Sequence, residues 1–335
     1  MSARRDSLGV LAIGIAFAMV VPAAGQTQPA AKAPAKAAKT YTPPKTAWGD
    51  PELQGNFTNK DESGIPFERP NEFEGKKIDD VADAELAELI KERASQAAQR
   101  APGIGGAETG AGPIHWYENY NAKNSRPWLV IDPADGKIPP MTPEAQAGIA
   151  AMPPARSSFT NGPWSGPEDF GLYERCITRG IPGSMMPAIY GNSYQIVQAP
   201  GYVAIRYEMI HETRVIPLDG RSHLTPNIRP FMGDARGHWE GKTLVVETTN
   251  FDPRTTYRNA NSDTFKLIER FTPVAPDKVE WAVTVDDPKT WTRAWTFAMT
   301  LTKDDRQPPF EYACHEGNYG MPNILRGERA AEQKR

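Results

Sequence analysis

From residue 194 onward the chain is a succession of short runs in which apolar and polar side chains alternate, separated by turn dipeptides. A period of two sends successive side chains to opposite faces of a strand, so such a stretch has to build a sheet with one buried face. The runs cover residues 194–198, 202–217, 243–250, 265–272, 279–286, 291–302 and 310–315. Between or beside them stand Pro200-Gly201, Asp219-Gly220, Glu240-Gly241, Pro276-Asp277 and Asp287-Pro288. Successive antiparallel strands at this spacing predict a mainly β fold, an antiparallel β-barrel or a strongly curled meander. Closure would remove the exposed edges.

Ahead of the strands the chain is dense in proline and glycine, 32 and 28 residues in all, and predicts long loops lying over the wall. One helix is expected over 79–100, capped by Asp79 or Asp80, with Val81, Leu86, Leu89 and Ile90 as its apolar stripe and residues 103–112 breaking it. Thr142 is placed to cap a second, brief helix. Residues 48–327 read as a single β-rich domain, with a helix and loop subregion at 48–193, the strand meander at 194–320 and a tail at 328–335.

The first 25 residues carry the parts of a cleavable signal peptide: Arg4 and Arg5, an apolar run over 8–21, then Ala23, Ala24 and Gly25. That run holds 14 residues, against roughly 20 for a membrane span. Stable membrane insertion is therefore not expected. Residues 26–47 form an Ala/Pro/Lys linker too poor in apolar side chains to fold. The chain is expected to be periplasmic or secreted after cleavage near Gly25, and its formal net charge of −3 gives no support to nucleic-acid binding.

In an oxidising compartment the two cysteines, Cys176 and Cys314, read as one disulfide or as two buried thiols. A bridge over that separation contributes about 4–5 kcal/mol on the loop-entropy account.

Alternation also sorts the polar residues. If 202–217 is one strand, His211 shares a face with Val203, Ile205, Tyr207, Met209 and Val215, opposite Arg206, Glu208, Glu212 and Arg214. In 291–301, Arg293 falls among Trp291, Trp295, Phe297, Met299 and Leu301. Glu269 falls with Phe265, Leu267 and Phe271. Burying a histidine, an arginine and a carboxylate costs several kcal/mol unless they satisfy one another or a ligand. Two expectations follow: a structural Arg293–Glu269 ion pair with His211 on a backbone carbonyl, or a polar cluster flooring a pocket walled by Tyr207, Trp291, Trp295 and Phe271.

Cys314-His315-Glu316-Gly317 adds two acid/base groups beside a cysteine. Metal binding has no local spacing in its favour, so cofactor-free chemistry is expected, the alternative being a divalent metal held through His211, His223 or His315. Ser184 lacks the strand-to-helix setting of a nucleophile.

Four segments, RCITRG at 175–180, GYVAIRYEMIHETRVIPLDG at 201–220, GHWEGKTLVVETTNF at 237–251 and ACHEGNYG at 313–320, carry a resemblance. Through them the chain resembles a widespread family of secreted proteins of environmental Gram-negative bacteria, over roughly residues 48–327. The resemblance implies that Cys176, His211, Glu247, Cys314, His315 and Glu316 belong to the family's pattern. Residues 53–57 are similar to the Gly-x-Trp strand start of lipocalin-like barrels, with Phe57 in the tryptophan position.

The expected function is an enzyme, a lyase or hydrolase, acting on a small aromatic or glycosidic compound by general acid/base chemistry. His211 would exchange the proton, Arg293 would hold the anionic oxygen, and Glu269, Glu247 or Glu316 would complement the histidine. The rival expectations are a non-catalytic carrier of an apolar small molecule and a structural envelope protein.

Overall fold

The alternating runs do form a wall, and its strand count decides how that wall ends. A computed structural model describes residues 41–100, 123–153, 162–188, 190–306 and 308–334. The predicted signal peptide, most of the predicted linker and the expected helix break at 103–112 lie outside the described residues.

The strands are β1 (Gly55–Thr58), β2 (Val130–Asp132), β3 (Ser193–Ala199), β4 (Tyr202–Tyr207), β5 (Thr213–Pro217), β6 (Asp234–Glu240), β7 (Thr243–Thr249), β8 (Lys266–Ala275), β9 (Lys278–Asp286) and β10 (Trp295–Lys303). Nine of them follow one path, β5-β4-β3-β1-β10-β9-β8-β7-β6, and curl into a nearly closed barrel. Strand β2 pairs with β10 off this path.

Every neighbouring pair on the path is antiparallel. With nine strands the two ends of the path, β5 and β6, must therefore run in the same direction. They lie side by side but share no ladder among the described residues. Gly237 of β6 packs tightly against Ile216 and Leu218; a methyl group on Gly237 would stand 2.8 Å and 2.6 Å from those side chains.

The inward face is filled. Leu267, Glu269 and Phe271 of β8, Val279, Trp281, Val283 and Val285 of β9, and Trp295, Phe297, Met299 and Leu301 of β10 are all buried. Trp281 meets Phe297 edge-on at 5.8 Å between ring centroids, and Trp291 meets Trp295 at 5.7 Å. Each such side chain contributes roughly 1.5–3 kcal/mol by leaving water.

Helix α1 (Asp83–Arg100) starts later than the caps at Asp79 or Asp80 predict, because residues 78–80 form a separate single turn in which Asp80 accepts from the Lys77 amide at 2.9 Å. Thr142 does cap α2 (Pro143–Ala150), its hydroxyl accepting from the Ala145 amide at 3.1 Å.

Three expectations need correction. Residues 202–217 are a hairpin, not one strand: β4 ends at Tyr207, the chain turns, and β5 returns with Ile205 opposite Arg214. The turn holds no glycine, proline or asparagine; Ile210 and His211 take its positive φ values of 65° and 44°. Residues 310–315 are not a strand, for Pro308 and Pro309 cannot donate to a ladder. The chain instead forms two helices, α3 (Cys314–Gly317) and α4 (Gly320–Glu332). The run at 291–302 becomes strand only at Trp295.

The seam makes a direct prediction. Gly237→Ala should destabilise the barrel by about 1–3 kcal/mol through overpacking against Ile216 and Leu218. Urea unfolding would read this, and an unchanged midpoint would contradict the close approach.

Candidate functional site

The hairpin turn moves each polar residue from where simple alternation puts it. Since Arg214 lies opposite Ile205, it points inward, while Val215 is 56% exposed and His211 is exposed. Inside, Arg214 meets Glu269 through two hydrogen bonds, Nη1 to Oε2 and Nη2 to Oε1, the latter at 3.1 Å. The Trp281 indole donates to the same Oε1 at 3.1 Å. The two charged side chains are 3% and 0% exposed.

Burial alone would lower the pKa of an arginine, but the adjacent Glu269 carboxylate outweighs it and holds Arg214 above its ordinary value. Glu269 is thus inward as expected, with a different partner. Arg293 is at the surface, bonded to Asp132 at 2.9 Å, because it precedes β10 instead of lying within it. Tyr207, Trp291, Trp295 and Phe271 are at most 1% exposed, and they fill the barrel where pocket walls were expected.

Glu247 projects outward from β7. It stands 3.3 Å from His223 Nε2 and 3.7 Å from Lys266, while His223 Nδ1 meets Asp234 at 2.8 Å. Among the described residues no group of three or more histidine, cysteine, aspartate or glutamate side chains is arranged to hold a metal. Among the described residues no helix is long and apolar enough to cross a membrane.

The remaining candidates converge. Cys176 and Cys314 form a disulfide, with Cα atoms 5.7 Å apart across 138 residues of sequence. It brings the loop ahead of β3 to α3, and α3 packs against the β4–β5 turn. Asn318 ties the same place together, donating to the Glu174 carbonyl at 2.7 Å and contacting Cys176 Sγ at 3.6 Å. His315 and Glu316 lie on the exposed side of α3.

On this pole the His211 Nδ1 lies 2.9 Å from the Tyr312 carbonyl. A carbonyl oxygen only accepts, so Nδ1 carries the hydrogen and Nε2 the lone pair. Among the described residues Nε2 has no partner. Three phenols surround this turn. Tyr190 and Tyr312 place their hydroxyls 3.3 Å apart, and Tyr173 reaches the Met209 sulfur at 3.6 Å. Burial raises the Tyr173 pKa; burial, reinforced by the neighbouring Tyr190, raises that of Tyr312. Both stay protonated and able to donate.

The Arg179 guanidinium lies over the Tyr173 ring, 5.2 Å from its centroid. Among the described residues it has no carboxylate partner. Beneath the turn, Glu212 accepts from Thr178 at 2.7 Å, and burial raises its pKa despite that bond. Backbone strain gathers here as well, at Cys176 (φ 57°), Ile210 and His211, each worth about 1–3 kcal/mol and common at functional sites.

No known protein family, curated protein or solved structure matches this chain.

The disulfide and the histidine are therefore coupled. Nitrogen-15 NMR should show His211 as the Nδ1–H tautomer. In a Cys176→Ser, Cys314→Ser variant that preference should weaken and stability should fall by about 2–5 kcal/mol. An Nε2–H tautomer in the native protein would contradict the geometry.

Proposed function

We propose that this barrel is an enzyme whose active site is the disulfide pole, with His211 as its acid/base group. The observation carrying this reading is the His211 imidazole, fixed through Nδ1 by the Tyr312 carbonyl with Nε2 open to an incoming molecule. A base must be oriented before it is useful, and a backbone carbonyl on Nδ1 does that.

The reaction class is elimination, hydration or hydrolysis of a small aromatic or glycosidic compound. Nε2 takes a proton from a substrate carbon or an attacking water, and the imidazolium returns it to the departing oxygen in elimination and hydrolysis, or to the neighbouring carbon in hydration. No oxidant or reductant is needed. Arg179 and the hydroxyls of Tyr190 and Tyr312 supply cationic and neutral donors for the oxyanion that develops between those steps. Aromatic faces at Tyr173, Tyr190 and Tyr312 favour a flat substrate. The disulfide suits a periplasmic or secreted protein.

The test is turnover of a panel of aryl ethers, aryl glycosides and phenolic esters, followed by chromatography. His211→Asn retains a residue that tolerates positive φ. It should fold normally and lose about 10²–10⁴-fold in kcat. Equal turnover by the variant, or none by the native protein across the panel, would overturn the reading.

A further inference from the structure

Three reaction classes are open to the disulfide pole, and the groups around His211 separate them. Among the described residues no hydroxyl or thiol bonds Nε2, and both cysteines are held in the disulfide, so the imidazole activates no side-chain nucleophile. Glycoside hydrolysis uses a pair of carboxyl groups flanking the bond to be cut. The carboxyl groups here are committed or turned to solvent. Glu212 accepts from Thr178 at 2.7 Å, Glu174 from the Gly171 amide at 2.9 Å, and Glu168 stands 3.9 Å from Arg175. Glu311 and Glu316 are exposed. What remains is a single oriented base.

Beside that base stands a cation without a counter-ion. Glu212 follows His211 and bonds Thr178, and Arg179 follows Thr178, so one hydrogen bond pins the two loops together. The Thr178 hydroxyl also accepts from the Gly180 amide at 2.9 Å, which fixes the turn carrying Arg179. The Arg179 side chain is half-buried over Tyr173, and its charge reaches the phenol of Tyr312, the residue whose carbonyl holds His211.

A base beside an uncommitted guanidinium suits one operation, removal of hydrogen from the carbon next to a carboxylate. That hydrogen is weakly acidic because its loss leaves two negative charges on the product. A cation on the carboxylate oxygens offsets the second charge as it forms, and the planar fork of arginine matches a carboxylate.

We infer, building on the acid/base reading above, that the pole catalyses β-elimination from a carboxylic acid bearing an ether or glycosidic oxygen on its β carbon, with Arg179 on the carboxylate. His211 Nε2 takes the α hydrogen as a proton. The C–H electron pair becomes the Cα–Cβ double bond, and the Cβ–O bond breaks with its pair on oxygen. The imidazolium returns the proton to that oxygen. An α,β-unsaturated acid and a hydroxyl compound leave, and no other reactant is consumed. A 4-linked uronate and a 3-aryloxypropanoate both present this arrangement.

The test gives the full chain 4-linked uronate disaccharides, 3-aryloxypropanoates and the methyl esters of both, with products identified by mass spectrometry. An ester has the more acidic α hydrogen, so a preference for the free acid has to come from the cation. The native protein should release the unsaturated acid and favour acid over ester by about tenfold, the scale of one charge-assisted hydrogen bond. Cleavage of the uronates or of the aryl ethers tells the glycosidic source from the aromatic one. Arg179→Gln should lower kcat/KM for the acids by about 10²–10³-fold. It should also turn the preference toward the esters, a ratio taken within one variant and independent of how much of it folds. Saturated products, a native preference for esters, or an unchanged preference in Arg179→Gln would overturn this inference and leave His211 as an acid/base group. No turnover of any probe would overturn both.

Discussion

Nine strands that each run antiparallel to their neighbours cannot close with an antiparallel pair, and the gap this leaves is bridged by a buried ion pair. Arg214 reaches from β5, on one side of the seam, across the interior to Glu269 on β8, two strands beyond the other side. Taking both charges out of water is expensive. Two parallel hydrogen bonds and the Trp281 donor offset that cost, and the carboxylate keeps the arginine charged despite burial. Around this cross-strut Gly237 lets the two edges approach without a ladder.

The same turn governs the interior and the pole. Five residues between β4 and β5 bring Arg214 onto the inner face and leave His211 outside. The disulfide then fastens α3 against that turn, and Tyr312, two residues before Cys314, fixes the imidazole. Fold closure and the proposed chemistry thus depend on one strained hairpin, which accounts for positive φ values at residues as ill-suited to them as Ile210.

Glu269 was legible from alternation because β8 is regular on both sides of it. His211 was not, because parity carries through a strand but is lost at a turn, and this turn lacks the residues that announce one. Arg293 failed for a related reason: apolar side chains at Trp291 and Trp295 share a spacing, yet only the second lies in strand. Strand β6 was hidden by Arg236, Gly237 and His238, which carry little apolar pattern. Tyr173, Arg179 and Tyr190 sit in loops, where no periodicity exists, and are brought to Tyr312 by the Cys176–Cys314 disulfide, which spans 138 residues of sequence. Their only signal was the neighbourhood of Cys176 and Cys314.

A double-mutant cycle on the cross-strut tests this account most directly, using Arg214→Met, Glu269→Leu and the pair together, each read by urea unfolding. Each single change should destabilise by about 3–5 kcal/mol, because it strands a buried charge, while the double variant should recover most of that loss. Additive losses would contradict the claim that the Arg214–Glu269 pair closes the barrel.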